Sequence, residues 1–373
     1  MRRSGQHKHT DGHATACSHL PPAGGFIMSD RQFARSTPPP TATLLLAGVL
    51  MLSPASLAND DTDVANLVAD DVAAGVLSFR VTDDAGATIP CRLTFIGEGG
   101  PGANLFTRTD ARPTEFAVRN NVIYSVSGFG QVTVPVGTYT VYASRGMEWS
   151  IQSADIVIGK DQTAAFEAAL RHEVDTTGWI SGDFHLHTLT HSGHGDANME
   201  ERVISFVGEG LEFAVATDHN HNTDYGPTVH KIGIDHRVTT VTGNEVSTPI
   251  GHFNAFPLDP QRKIPPPDLR NARALFKLIR DETNQYGVTP VIQLNHPRWY
   301  GIDYFRRTGL DPVIGTSESP SYSSDFDSLE VFNDNPGWGY YNDDIPGDPP
   351  RGSNRHWVLG DWFNLLNRGY RYT

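Results

Sequence analysis

Four histidines and two aspartates lie close together in the segment SGDFHLHTLTHSGHGD at residues 181–196. His185 and His187 are two residues apart, so in a β-strand their side chains point to the same face. Two imidazoles on one face are the arrangement that two ligands of one metal ion require. The segment could also be a solvated polar loop, but we predict that it is half of a metal site whose other ligands lie downstream.

Further metal-binding residue types occur where downstream apolar runs begin or end. In chain order they are Asp218 and His219 after LEFAVAT, Glu245 after RVTTVT, His252 at the start of GHFNAFP, His296 after TPVIQL, and Glu330 within SLEVFN. Taken singly, a histidine at a strand end is more often a hydrogen-bonded loop residue than a ligand. Because successive strands present His, Asp or Glu at one end, we predict a shared metal site.

The composition restricts both the partners and the ligands. The chain has 29 basic and 43 acidic side chains and a formal charge of -14. This charge repels polyanions, so we expect no nucleic-acid partner. The only cysteines are Cys17 and Cys91, which excludes a disulfide framework and a cysteine-rich zinc module. Any metal ion must therefore be held by His, Asp and Glu.

The elements that would position these residues follow HEVDTTGW at 172–179. Short apolar runs then alternate with helical patterns, which is typical of parallel β-α units. Candidate helices are ANMEERVISFVGEG, 271–287 and 355–369, and candidate strands lie near 180–187, 211–217, 238–242, 252–257, 289–294 and 328–332. In such folds the site forms at the carboxyl ends of the strands. The pattern predicts an α/β barrel or a large open parallel sheet.

Residues 75–171 show a different pattern, with short alternating runs broken by Gly, Pro and Asn. Strands at a spacing of about 8 to 12 residues are typical of a small all-β sandwich. No catalytic cluster occurs there, so we expect a packing or spacer domain, with carbohydrate or surface binding as the alternative. We interpret residues 59–74 as the linker that precedes it.

Residues 1–58 have the features of a leader. TATLLLAGVLML at 41–52 has the length of a signal-peptide core and is too short to span a bilayer, and ASLA at 55–58 fits a cleavage site. Met28, followed by Arg31 and Arg35, offers an alternative start. We predict export to the periplasm or the exterior, with no integral membrane span after the leader is removed.

The ordered motifs resemble those of the polymerase and histidinol phosphatase (PHP) superfamily, and within it the CehA/McbA-type metallohydrolases. The motifs are GDFHLHT, HSGHGDANMEER, EGLEFAVATDHNHNTDY, GNEVST, GHFNAFPL, LNHP and LEVFN. The match covers about 180–373, so residues 172–373 form the predicted hydrolase domain. The resemblance implies a distorted (β/α)7 barrel that holds two or three divalent ions, zinc, manganese or iron. It also implies hydrolysis of phosphoesters or, in some members, of carbamate esters.

The resemblance assigns a role to each matching position. His185 and His187 match ligands of the first metal, Glu245 the carboxylate that bridges two metals, His252 and His296 ligands of the second metal, and His219 a ligand of the third. Asp196 is the predicted ligand in HSGHGD, with His194 and His191 as alternatives. Asp218 would orient the imidazole of its neighbour.

One family motif is missing from the sequence. The last strand of the family carries an Asp-x-His motif, and this chain ends at GYRYT (369–373), where that strand would begin. We therefore expect the barrel to be truncated at its C-terminus, and the truncated chain to bind metal weakly and be inactive.

The ligand set implies hydrolysis by a metal-bound hydroxide, because no Ser, Cys or Thr stands in a recognisable nucleophile setting. Glu245, Asp218 and His219 are the predicted catalytic residues. The predicted substrate contacts are Asn220, His221 and Arg298. A small phosphoester is the expected substrate. A carbamate or carboxylic ester is the alternative if the aromatic residues Trp299, Tyr300 and Trp338 line the pocket, and a degenerate binding module is the non-enzymatic alternative.

Overall fold

A computed structural model describes residues 63–299, 302–332 and 358–373 of the chain. The predicted leader at 1–58, with the alternative start at Met28, lies outside the described residues. So do residues 59–62 of the predicted linker and the aromatic residues Tyr300 and Trp338. In the part of the chain that the structure describes, no helix is both long enough and apolar enough to cross a membrane.

The first eight strands form two sheets. They are β1 (Ala74–Thr82), β2 (Cys91–Ile96), β3 (Phe116–Arg119), β4 (Val122–Ser125), β5 (Phe129–Pro135), β6 (Gly137–Ser144), β7 (Gln152–Ile158) and β8 (Thr163–Ala169). The strand orders are β5-β1-β8 and β3-β4-β2-β6-β7. Within the first sheet, β1 pairs antiparallel with β5 and parallel with β8.

Alternation along the strands explains why the two sheets share one core. In β1, Leu77 and Phe79 are buried while Ser78 and Arg80 face outward, because successive side chains of a strand point to opposite faces. The inward side chains of β1 meet those of β2, such as Leu93, in one hydrophobic cluster. Burying such a side chain contributes about 1.5–3 kcal/mol. Apolar burial therefore holds these sheets face to face.

The remaining described strands and the helices carry the predicted ligands. The strands are β9 (Gly182–Leu186), β10 (Phe213–Ala216), β11 (Thr239–Thr242), β12 (Asn244–Thr248), β13 (Gly251–Phe256), β14 (Val291–Asn295) and β15 (Ser328–Leu329). The helices are α1 (Leu189–Ser192), α2 (Met199–Gly208), α3 (Gly226–Ile232), α4 (Ala272–Arg280), α5 (Tyr304–Arg307) and α6 (Val358–Asn367).

The predicted α/β class with a distorted (β/α)7 barrel is wrong. The described residues contain more strand than helix, and β9 to β15 divide between two separate sheets, ordered β11-β10-β9 and β12-β13-β14-β15. The β11-β10-β9 sheet is parallel, but β12 with β13 and β13 with β14 are antiparallel pairs. A (β/α) barrel requires one closed parallel sheet, which these strands do not form.

A tight hairpin accounts for much of this error. Only Pro249 and Ile250 separate β12 from β13, and a connection that short can only join antiparallel strands, since a parallel crossover needs a dozen or more residues. Gly251 enters β13 with a φ of 149°, a backbone conformation that favours glycine. The sequence pattern places Glu245 at the end of the strand RVTTVT, but Glu245 lies within a separate strand, β12.

Two of the helices, α2 and α4, begin after an asparagine cap, and α4 ends earlier than its sequence pattern predicts. Asn198 caps α2 and forms a capping box with Glu201, an arrangement that satisfies two helix N–H groups. Asn271 caps α4, which ends at Arg280 rather than at Gly287. The residues DETN after Arg280 include types that favour turns over helix interiors, and the Asn284 side chain accepts a hydrogen bond from the N–H of Tyr286.

Helix α2 connects the β-sandwich region to the ligand-bearing strands. Its Val203 and Phe206 are buried in a hydrophobic cluster that also contains Leu186 of β9. On another side, Glu201 of α2 forms an ion pair with Arg119 of β3. This packing holds β9 in place next to the sandwich.

Candidate metal centre

The carboxylate of Glu245 lies at the centre of a histidine cluster. Glu245 belongs to β12, is paired with Asn254 of β13, and is fully buried. Among the described residues, five imidazoles approach its two oxygens. Near Oε1 are His185 Nε2 at 3.4 Å, His252 Nδ1 at 3.2 Å and His296 Nε2 at 3.3 Å, and near Oε2 are His187 Nε2 at 3.2 Å and His219 Nδ1 at 3.0 Å.

Strand geometry brings these rings together. His185 and His187 flank Leu186, which points into the apolar core, so both imidazoles face the opposite side. Their ring centroids are 4.9 Å apart. The register of β13 with β14 pairs His252 with the residue just before His296, and these two rings lie 5.0 Å apart. The two sheets thus deliver histidines to one point.

Three groups of these side chains have the spacing of metal ligands. They are His185 with His187 and Glu245, then His219 with Glu245 and His252, and finally His187 with His194 and His219, each with ligand atoms within 4.8 Å of one another. Ligand bonds of about 2.0–2.2 Å separate neighbouring ligands by roughly 3.3 Å in a tetrahedron. The nitrogen-to-oxygen distances around Glu245 match this separation.

An unsatisfied buried oxygen also fits a metal ion. Glu245 Oε2 is buried and, within the described residues, forms no aligned hydrogen bond, although His187 and His219 lie close to it. A buried acceptor that is left without a hydrogen bond costs about 1–3 kcal/mol, and more when it is charged. A divalent cation between this oxygen and the imidazoles would satisfy both, so the His and Glu groups could hold a metal ion.

The charges of the cluster favour ionised Glu245. Burial opposes its ionisation, but the imidazoles, led by His185, hold the pKa of Glu245 well below its usual range. Burial likewise lowers the pKa of His185, yet Glu245 and Glu330 outweigh it and raise that pKa to about 10. Burial lowers the pKa of His296, and burial with the charges of neighbouring histidines lowers that of His194. The last two imidazoles are therefore neutral at neutral pH, which is the form that binds metal.

The carboxylate of Asp218 lies behind the cluster. It is fully buried and accepts hydrogen bonds from the backbone N–H of Thr188 at 2.6 Å, from Ser192 Oγ at 2.6 Å and from Thr223 Oγ1 at 2.9 Å. The Thr188 hydroxyl also donates to it. Asp218 is a predicted catalytic residue that we expected to orient the His219 ring, and none of these contacts is with that ring.

Of the three alternatives in HSGHGD, only His194 joins a ligand group. Helix α1 ends at Ser192 and is followed by Gly193, whose φ of 71° is a left-handed conformation that suits glycine. The next residue, His194, places its ring 4.8 Å from that of His219. Asp196, the predicted ligand, has a side chain that is 75% exposed and lies 3.8 Å from Arg202. His191 instead stacks on His221.

The predicted substrate contacts occupy three different settings. Asn220 has a left-handed backbone, and its side-chain oxygen accepts a hydrogen bond from Ser247 N at 3.0 Å. His221 stacks on His191 with ring centroids 3.8 Å apart. Arg298 forms two hydrogen bonds of 2.7 Å to buried Asp361. This bidentate pair neutralises the guanidinium that we expected to bind substrate.

Several residues that support the cluster have weak sequence signals. Asn295 Nδ2 donates to Glu245 Oε1 at 2.8 Å, and Glu330 contacts both His185 Nδ1 and the backbone N–H of His296. Ser192 and Ser247 contact the rings of His187 and His219. The strand-end position of Glu330 indicates a role at the site. Single serines in loops are too common for a sequence pattern to identify them as site residues.

Comparisons with known proteins assign no family. No protein-family model and no curated protein matches the chain. Similar solved structures include the minor pilin GBS52 of Streptococcus agalactiae (15% identity, 28% of this chain, 47% of that chain, TM-score 0.21). They also include 3-chlorocatechol 1,2-dioxygenase from Rhodococcus opacus 1CP (6% identity, 29% and 64%, TM-score 0.20) and phospholipase PlaB from Legionella pneumophila (14% identity, 29% and 27%, TM-score 0.19). The chain spans about half of the pilin's length. Similarities this low carry no information about the activity of this protein.

Proposed function

We propose that this protein is a metal-dependent hydrolase that cleaves ester bonds, with phosphoesters as its main substrates. The observation that carries the proposal is the convergence of five imidazoles on the two oxygens of the buried Glu245 carboxylate. The ordered motifs that resemble the PHP superfamily support the same reaction class.

The histidines near the two oxygens of Glu245 would hold two divalent ions. This division differs from the one that the resemblance implies, which assigns His185 and His187 to the same metal. His185, His252 and His296 surround Oε1, whereas His187 and His219 surround Oε2. His194 lies beside the second group. When bound in these positions, two divalent cations of zinc, manganese or iron supply a water whose pKa falls toward about 7 and an electrophile for the substrate oxygens.

The chain itself holds the ligands and leaves the attack to water. Asn295 donates to Glu245 Oε1 and so fixes the orientation of the carboxylate. The hydroxyl of Ser192 donates to Asp218, and that of Ser247 donates to the backbone carbonyl of Glu245. Because the Ser192 proton is committed to Asp218, this serine is not set up as a nucleophile. Ser247 Oγ also contacts His219 Nδ1 at 2.6 Å.

Hydrolysis of a carbamate or carboxylic ester is the second candidate function, and two observations favour it. The guanidinium of Arg298 is paired with the carboxylate of Asp361, so Arg298 is poorly placed to bind a phosphate. The ring of Trp299 meets that of His296 edge to face at 5.5 Å, so an aromatic side chain lies beside the cluster. A binding module without catalysis is the third candidate, and low metal content would favour it.

The test is a substrate panel. The protein loaded with Zn²⁺, Mn²⁺ or Fe²⁺ is assayed on p-nitrophenyl phosphate, bis-p-nitrophenyl phosphate, p-nitrophenyl acetate and an aryl carbamate. Phosphoester turnover that disappears in Glu245→Gln supports the proposal. Turnover of only the acetate or the carbamate selects the second function, and no turnover with two ions bound rejects both hydrolases.

Export is also part of the proposal. The apolar segment at 41–52 and the small residues at 55–58 support it. We expect the mature protein from a bacterial host to begin at residue 59, which N-terminal sequencing of the periplasmic and cytoplasmic fractions would show. Uncleaved protein that stays in the cytoplasm would contradict it.

A further inference from the structure

Ser192, the last residue of α1, stands between the buried Asp218 carboxylate and two histidines of the cluster. Its hydroxyl donates to Asp218 Oδ1 at 2.6 Å. The same oxygen accepts a hydrogen bond from the backbone N–H of His219 at 3.1 Å and lies 3.2 Å from His187 Nδ1. The Ser192 hydroxyl therefore has three partners. The number of hydrogen bonds that it can donate and accept determines which partners must be donors and which must be an acceptor.

The direction of the hydroxyl follows from the surroundings of Asp218. This carboxylate receives one backbone N–H and the hydroxyls of Thr188, Ser192 and Thr223. An ionised carboxylate has about four acceptor positions and no proton to give. The proton of Ser192 must therefore point to Asp218, and only its lone pairs remain for the other partners.

The protonation of His187 follows in turn. A hydroxyl has one proton and two lone pairs, so Ser192 can only accept from His187 Nδ1, as it does from the N–H of His219. A neutral imidazole that carries its proton on Nδ1 has its lone pair on Nε2. His187 Nε2 is the atom that lies 3.2 Å from Glu245 Oε2, so the lone pair is directed at the second ion position.

The two histidines of the HLH motif are held in different ways. His185 directs its Nδ1 to the carboxylate of Glu330 at 3.1 Å, whereas His187 directs its Nδ1 to the Ser192 hydroxyl, which in turn donates to Asp218. The His187 ring also stacks on that of His219 at 4.6 Å, which fixes its plane but not which nitrogen carries the proton. The hydroxyl is therefore the contact that selects the tautomer.

We propose that Ser192 is a positioning residue, which uses the buried Asp218 to fix His187 with Nδ1 protonated and Nε2 facing the ion position beside Glu245 Oε2. This inference rests on the proposed metal-dependent function. Partners that orient metal-binding histidines typically account for a 10- to 100-fold effect on metal affinity or activity. We expect an effect of this size at the second ion position and little effect at the position beside Oε1.

The direct readout is the protonation of His187 in the zinc-loaded full chain labelled with ¹⁵N-histidine. In the unsubstituted protein, NMR should show a proton on Nδ1 and zinc on Nε2. Zinc on Nδ1 would overturn the proposal without any variant. This measurement does not depend on turnover, so zinc-loaded protein that cleaves no ester disproves the proposed function and leaves the Ser192 result standing.

Substitution supplies the second readout. Ser192→Ala should weaken the second zinc 10- to 100-fold in a chelator competition titration, with the first zinc changed less than threefold, and Ser192→Thr should restore the affinity because it keeps the hydroxyl. Thr223→Val is the matched control, since it also removes a hydroxyl from Asp218 but does not contact the His187 ring. Equal zinc affinities in the parent and in Ser192→Ala, or equal losses in Ser192→Ala and Thr223→Val, would overturn the proposal.

Discussion

Replacement of Glu245 by glutamine removes one charge from the centre of the cluster and keeps the shape of the side chain. Glu245 is completely buried, and its carboxylate has imidazole nitrogens within 3.0 to 3.4 Å of both oxygens. Removing one partner of a buried charged pair costs about 3–5 kcal/mol. At 1.4 kcal/mol for each factor of ten, a loss of the same size in binding free energy corresponds to roughly 100- to 4,000-fold weaker binding. Because each oxygen faces a different group of histidines, we expect both ions to bind more weakly.

The assay is a chelator competition titration, with the metal content measured after dialysis. Glu200→Gln is the matched control, since it removes a carboxylate that pairs with Lys231 at the surface. The control should bind two ions as the parent does, and thermal unfolding should show that Glu245→Gln is folded. Two ions bound to folded Glu245→Gln with affinities within threefold of the parent would refute the reasoning.

Three other predictions follow from the same contacts. First, the pKa of His185 is raised to about 10, so its pairing with Glu245 stabilises the metal-free fold below a pH of about 6.5 and loses that contribution as pH rises through 10, while the lowered pKa of Glu245 adds stability above a pH of about 4.5. Urea unfolding across pH tests this, and because metal binding must displace the His185 proton, metal affinity should rise with pH. Second, His194→Ala should weaken the second ion, whereas Asp196→Asn should leave both ions in place, as metal analysis will show. Third, Asp361→Asn removes the carboxylate that pairs with the largely buried guanidinium of Arg298 and should lower the free energy of unfolding by about 3–5 kcal/mol.

Each of these predictions has an opposing result. Metal-free stability that does not change between pH 7 and pH 10 would contradict the His185 assignment. Loss of an ion from Asp196→Asn, with none lost from His194→Ala, would restore the ligand that we predicted from the sequence. An unchanged urea midpoint in Asp361→Asn would show that the buried pair does not contribute to stability.

The positions of the histidines could be predicted from the sequence because strand periodicity and strand ends are local features. The two-residue spacing of His185 and His187 places both rings on one face, and the apolar run before His219 places that residue at a strand end. These two features were enough to expect that the side chains meet. The complete burial of Glu245 between these side chains could be seen only in the structure.

Other parts of the site depend on contacts that are distant in the sequence. The short turn at Pro249 and Ile250 joins β13 to β12, a strand that the sequence pattern does not predict, and makes β13 antiparallel to both of its neighbours. Asp196 is the ligand predicted from the sequence, but the turn at Gly193 brings His194 to the cluster instead. The partner of Arg298 lies 63 residues further along the chain, so its neutralisation could not be predicted from local patterns.

The central claim is that the Glu245 carboxylate lies between two metal ions. Anomalous diffraction from crystals of the zinc-loaded protein, recorded above and below the zinc absorption edge, tests this most directly. We predict two peaks, one between Oε1 and the rings of His185, His252 and His296, and one between Oε2 and the rings of His187 and His219. No peak within bonding distance of Glu245, or zinc bound only at Asp196, would contradict the account.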